Sequence, residues 1–207
     1  MDIKEYEQVK EMSYLEYCDY LQKKYGKGLY DYMTKSYNKN PKCTRTKEGL
    51  FAHHKMEDHA IMLSTKEMAM MYPIEWQSKD NIVYCDYLEH LLLHVMICKY
   101  PAKDAVGAVG VGGVVNFFVP ELNDFYSGWV AKLAWKKNCL DRVATDKLVY
   151  LEILKQFIKV VNDDLMLSMY CGDVDKLCTS LNAKYGEWNE DNNAEIYSEI
   201  HKLWMQC

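Results

Sequence analysis

The segment NIVYCDYLEHLLLH, residues 81–94, leaves the backbone little freedom. Ile82, Val83 and Tyr84 favour a strand. Asp86 then stands three residues before Glu89, the acidic form of a capping box, so a helix should begin at Tyr87. A strand that runs straight into a capped helix fixes the direction of whatever the helix carries. Here it carries His90 and His94, four residues apart, so both imidazoles leave one face on successive turns. Leu91, Leu92 and Val95 can cover the core side. Two imidazoles so spaced can grip one metal ion.

Upstream, GLFAHHKM (49–56) is strand-like and ends in His53 and His54. Five of the six histidines therefore fall within 50–59 and 81–94. A strand beside a helix can bring a third imidazole to an ion and leave a fourth free of it. Neutral ligands leave the cation its full charge, which suits it to polarise a phosphate and stabilise a leaving alkoxide. A free imidazole, with an ordinary pKa near ~6.5, can take a proton from water at neutral pH. Asn81 could orient that base through a hydrogen bond. Phosphodiester hydrolysis needs this combination of base, water and Lewis acid.

The ordered set His54, Asn81, His90, with His53 before it and His94 after it, resembles the HNH, or ββα-metal, endonucleases. The likeness is to the branch with paired histidines on the first strand and H-x-x-x-H on the helix. It covers residues 49–95, about a quarter of the chain. The resemblance implies His54 as general base, Asn81 as its positioning residue, and His53, His90 and His94 as ligands of a divalent cation. Magnesium is the expected working ion, and zinc or nickel also suits imidazole. DNA would be the substrate, cut to leave a 5′-phosphate. Three features depart from the pattern. Neighbours on a regular strand face opposite ways, so His53 and His54 could exchange roles. The connection from His54 to Asn81 is long and should hold a short helix of its own, capped by Ser64 with Glu67 at its third position. No cysteine knuckle braces the motif.

The rest of the chain sets the frame. The expected class is α+β, predominantly α-helical, with the ββα-metal motif (48–100) framed by an N-terminal helix and basic tyrosine-rich segment (1–47) and a helical C-terminal region (101–207), either as separate regions or as one compact domain. Ser13 and Glu16 make a capping box for a helix carrying Leu15, Cys18 and Leu21, and Gly26 can stop it. The stretch 105–119 has glycines but no G-K-[ST] ending, so it reads as a closely packed helix or turn rather than a phosphate loop. A short helix entered through Pro120 should follow. Asp146 should cap a helix with Leu148, Leu151, Leu154, Ile158 and Val161 in one stripe. The last helix carries Ile196, Ile200, Leu203 and Trp204.

The eight cysteines form no C-x-x-C pair and read as buried thiols. Met56, Met62, Met68, Met70 and Met71 read as core filling. The charged N-terminus and the lack of a long apolar run lead to the expectation of a cytoplasmic protein with no membrane association. A net charge of −5 argues against a general polyanion binder, yet 23–47 holds seven lysines and Arg45 against the single acid Asp31, with Tyr25, Tyr30, Tyr32 and Tyr37 interleaved. Lys42, Arg45, Lys47 and Lys55 are candidates for backbone contacts to DNA. His59 reads as a surface residue, and Glu57 and Asp58 as reserve carboxylate ligands. Cutting both strands with one site per chain would favour a homodimer. Two other readings stay open: an HNH scaffold that acts by binding a protein partner, and a closed, purely structural metal site.

Overall fold

The computed structural model describes every residue except Glu187. The helix expected at Ser13 forms as α2 (Tyr14–Tyr25), with both arms of the capping box made, and Gly26 ends it. Its buried face differs in phase from the expectation: Tyr14, Tyr17, Cys18 and Leu21 point inward, and Leu15 is exposed. A short helix precedes it, α1 (Ile3–Val9), started by Asp2 accepting from the Glu5 N–H.

The central motif is two short strands and a helix. Strand β1 (Phe51–His54) pairs antiparallel with β2 (Ile82–Cys85), matching Phe51 with Cys85 and His54 with Ile82. Between them lies a run of single turns around α3 (Lys66–Ala69), whose cap position is Thr65 rather than Ser64. Of the methionines expected to fill the core, Met62, Met70 and Met71 on this connection are exposed instead.

Helix α4 (Tyr87–Lys99) begins where the capping box places it. The Glu89 N–H donates to Asp86 Oδ1 (2.8 Å), and the Asp86 N–H donates to Glu89 Oε2 (2.7 Å). Lys24 and the Tyr25 hydroxyl reach Glu89 Oε1 at 2.7 and 3.0 Å, and the Met1 amine meets Asp86. These partners satisfy carboxylates that would otherwise be costly to bury. The helix is buried all round, with only His90 and Lys99 short of full burial, which marks it as the central strut.

The C-terminal region closes over that strut. The glycine-bearing stretch becomes α5 (Val111–Gly113), which passes through a π-turn (Val114–Phe118) into α6 (Val119–Tyr126). After α7 (Ala134–Asp141) comes α8 (Lys147–Asp163), which packs along α4. The Asp146 side chain makes no cap bond; it accepts from the Thr145 hydroxyl instead. The inward stripe of α8 is Val149, Tyr150, Ile153, Leu154, Phe157, Ile158 and Val161, whereas Leu148 is exposed. Helices α9 (Leu165–Cys171) and α10 (Ala194–Trp204) complete the frame, with Ile196 and Ile200 buried. One apolar core runs from Met1 to Ile200 and draws on all three expected segments. The fold is thus α+β and mostly helical. All eight cysteines are free thiols, six of them buried. No helix among the described residues is long and apolar enough to cross a membrane.

Candidate metal centre

Strand β1 delivers His53 and helix α4 delivers His90 and His94 to one point. One nitrogen from each ring lies within 4.8 Å of the others, so the three could hold a metal ion. His53 Nδ1 stands 3.1 Å from His90 Nε2. His53 is fully buried, and His94 nearly so.

Two of the three rings are held in the tautomers that ligation needs; His90 Nδ1 is buried without a hydrogen-bond partner. The Gly110 carbonyl can only accept, so at 3.1 Å it takes the Nδ1–H of His94 and leaves Nε2 with its lone pair. The Tyr14 hydroxyl donates to the His54 carbonyl (3.1 Å) and accepts from His53 Nε2–H (2.8 Å), which leaves His53 Nδ1 bare. The rings are also packed. Phe118 lies 4.5 Å from the His90 ring centre and 5.2 Å from that of His94, and a Cβ on Gly113 would stand 2.4 Å from His94 Nδ1. Gly110 itself has φ +83, a conformation that glycine adopts without strain.

Glu57 lies against two of these rings and against His54. Its Oε2 is 3.5 Å from His53 Nδ1 and 3.4 Å from His94 Nε2, and its Oε1 is 3.4 Å from His54 Nδ1. Burial pushes the pKa of His53 down to about 3, against the pull of Glu57. Burial first, then the neighbouring rings, push His90 well below the ordinary histidine value, and burial lowers His94. Burial raises the Glu57 carboxyl, but the imidazoles around it outweigh this and hold it low. His53 Nδ1 and His94 Nε2 are thus bare nitrogens that face the Glu57 carboxylate across 3.5 and 3.4 Å. The three histidines supply the nitrogen donors that a metal ion takes, so the residues present fit a divalent ion.

His54 stands beside this group rather than in it. Gln77 Nε2 donates to the Leu63 carbonyl (3.1 Å), which turns its Oε1 toward His54 Nε2 (3.0 Å) and assigns the proton to that nitrogen. Nδ1, buried and without a hydrogen-bond partner, then faces Glu57. His53 and His54 reach the same carboxylate although they are strand neighbours, because His54 ends β1 and the chain turns at once into the 3₁₀ turn Lys55–Asp58.

Other expectations are corrected. Asn81 does not hold His54; its amide donates to the Glu75 carbonyl (2.8 Å), and Gln77 takes the orienting place. Glu57 lies beside His53, His54 and His94. Arg45 is engaged by Glu48 and the Tyr25 carbonyl (2.6 Å), and Lys55 by Asp19 (2.8 Å), so neither is offered outward. Lys42 is exposed and lies over the Tyr30 ring at 5.7 Å, and Lys47 is exposed. His59 is half-buried and bonds Asp104 (2.7 Å), apart from the histidine group. Sequence reading also missed Tyr14, Gly110, Gly113 and Phe118, the braces of the rings. Compared with known protein families, curated proteins and solved structures, the chain matches none.

Proposed function

We propose that the chain is a metal-dependent endonuclease of HNH type that hydrolyses phosphodiester bonds in DNA. The observation that carries this reading is the convergence of His53, His90 and His94 with a fourth imidazole, His54, whose bare Nδ1 faces the same carboxylate. His53, His90 and His94 would hold the cation, which when bound supplies Lewis-acid stabilisation of charge on the phosphate and the leaving oxygen. His54 Nδ1 takes the proton of the attacking water. Gln77, anchored to the Leu63 carbonyl, holds the ring and fixes its tautomer. As water attacks phosphorus, the P–O bond to the 3′ oxygen breaks and a 5′-phosphate remains. In this reading the exposed Lys42 and Lys47 would meet backbone phosphates.

The test is incubation with supercoiled DNA across a panel of divalent cations. Nicking should require metal, and His54→Ala should abolish it while leaving metal binding and the circular-dichroism spectrum unchanged. An unimpaired His54→Ala enzyme would overturn the role of His54. The burial of His54, 1% exposed, favours a second reading in which the ion is structural. In that case chelation lowers the melting temperature and no cation elicits cleavage.

A further inference from the structure

This inference rests on the reading of His53, His90 and His94 as metal ligands. We propose that Glu57 is both the fourth ligand of the centre and its gate: the carboxylate fills the position a phosphate needs and must turn outward before substrate reaches His54.

Three observations support it. The first is spacing. Donor atoms around one tetrahedral cation, each at about 2.0–2.2 Å from it, stand roughly 3.3–3.6 Å apart. Glu57 Oε2 meets that condition toward two of the three rings, at His53 Nδ1 (3.5 Å) and His94 Nε2 (3.4 Å). The second is that one side chain covers two functions. While Oε2 faces the ligand nitrogens, Oε1 sits 3.4 Å from His54 Nδ1, the buried nitrogen that has no hydrogen-bond partner. With Glu57 in this place neither the ion nor the base offers a face to a phosphate.

The third observation is freedom to move. The histidines stand on a paired strand or a buried helix, but Glu57 rides on the single turn Lys55–Asp58. Its neighbours are pinned, Lys55 to Asp19 and His59 to Asp104. Among the described residues, the Glu57 side chain has ion-pair contacts to imidazoles only. Its side chain is 17% exposed, against 0% for His53 and 1% for His54, so its path outward is toward solvent. The opening proposed is a rotation about its own side-chain bonds with the backbone in place.

The experiment uses the whole chain loaded with cobalt(II), whose visible absorption reports coordination, and inorganic phosphate as the probe. In the parent protein, phosphate should leave the spectrum nearly unchanged. Glu57→Ala should weaken cobalt binding at least about tenfold, change the spectrum, and make it respond to phosphate. Glu57→Gln keeps the shape and removes the charge, so it serves if the alanine variant misfolds, and it should weaken cobalt binding in the same direction. Unchanged affinity and spectrum in Glu57→Gln, or equal phosphate response in parent and Glu57→Ala, overturns the proposal while the three-histidine centre stands. A parent protein that binds no cobalt overturns both readings together.

Discussion

Gly112 and Gly113 are adjacent on α5, yet alanine should be silent at one and break the metal centre at the other. A Cβ on Gly113 would stand 2.4 Å from His94 Nδ1, 2.6 Å from Cε1 and 3.0 Å from Cγ. Comfortable contact starts near ~3.5 Å, so the imidazole would have to retreat by about 1 Å. It has little room, because Nδ1 donates to the Gly110 carbonyl, Phe118 packs on the ring and Nε2 faces Glu57. Displacement loses a hydrogen bond worth about 1 kcal/mol and adds roughly 1–3 kcal/mol of overpacking. A ligand moved that far should cost about 10–100-fold in metal affinity. On Gly112 the same Cβ meets only Asn116 Nδ2, at 3.6 Å. There alanine should be neutral or stabilise by up to ~1 kcal/mol through helix propensity. Titration calorimetry with zinc gives the affinities, and urea unfolding of the metal-free proteins gives the stabilities. If Gly113→Ala matches Gly112→Ala in both measurements, the claim that Gly113 braces His94 is refuted.

Metal should also stabilise the fold: at a hundredfold excess over its Kd the gain is about 2.7 kcal/mol, or roughly 6 °C in Tm for a chain of this length. His90→Ala should abolish that rise, and a rise that persists in the variant would move the ion elsewhere. For pH, His53 has a folded pKa near 3 against ~6.5 unfolded, so its contribution is intact above pH 6.5 and is lost as pH falls toward 3. At pH 5 the loss is about 2 kcal/mol, read as a weaker pH dependence of urea stability in metal-free His53→Gln than in the parent. Asp86→Ala removes the cap of α4 and leaves the Met1 amine and the Glu89 N–H without their partner. It should cost roughly 2–4 kcal/mol, and a loss under ~1 kcal/mol by urea denaturation would contradict the assigned role.

The legible parts of this chain are those whose signal is local. Asp86 and Glu89 announce α4 within four residues, and the spacing of His90 and His94 follows from helix geometry alone. Glu57 carries no such mark. Its approach to His53 depends on a 3₁₀ turn just after the strand, where neither a period of two nor one of 3.6 applies. Asn81 fails as the orienting residue for a similar reason: the turn Lys79–Asn81 sends its amide back to the Glu75 carbonyl, and Gln77 ends an earlier turn pointing inward. Tyr14 and Gly113 act across long sequence separations, so a single sequence presents them as an ordinary core tyrosine and a flexible glycine. The misplaced stripe of α8 has another cause. The helix packs against α4, α1 and α10 together, and a face that wide admits more than one choice of apolar residues.

The distribution of rigidity decides what the centre can do. His53 is held by a paired strand and Tyr14, His94 by Gly110 and Gly113, and His90 by a helix with no exposed face apart from its own position and Lys99. Ligands fixed this way cannot rearrange to admit a phosphate, because each would have to drag a packed element with it. Only Glu57 stands free of that constraint. The contrast between a catalytic ion and a structural one therefore reduces to one side chain. In the proposed reading, a retained Glu57 gives four ligands and a closed site, and a Glu57 turned outward leaves three, an open position and His54 oriented beside it.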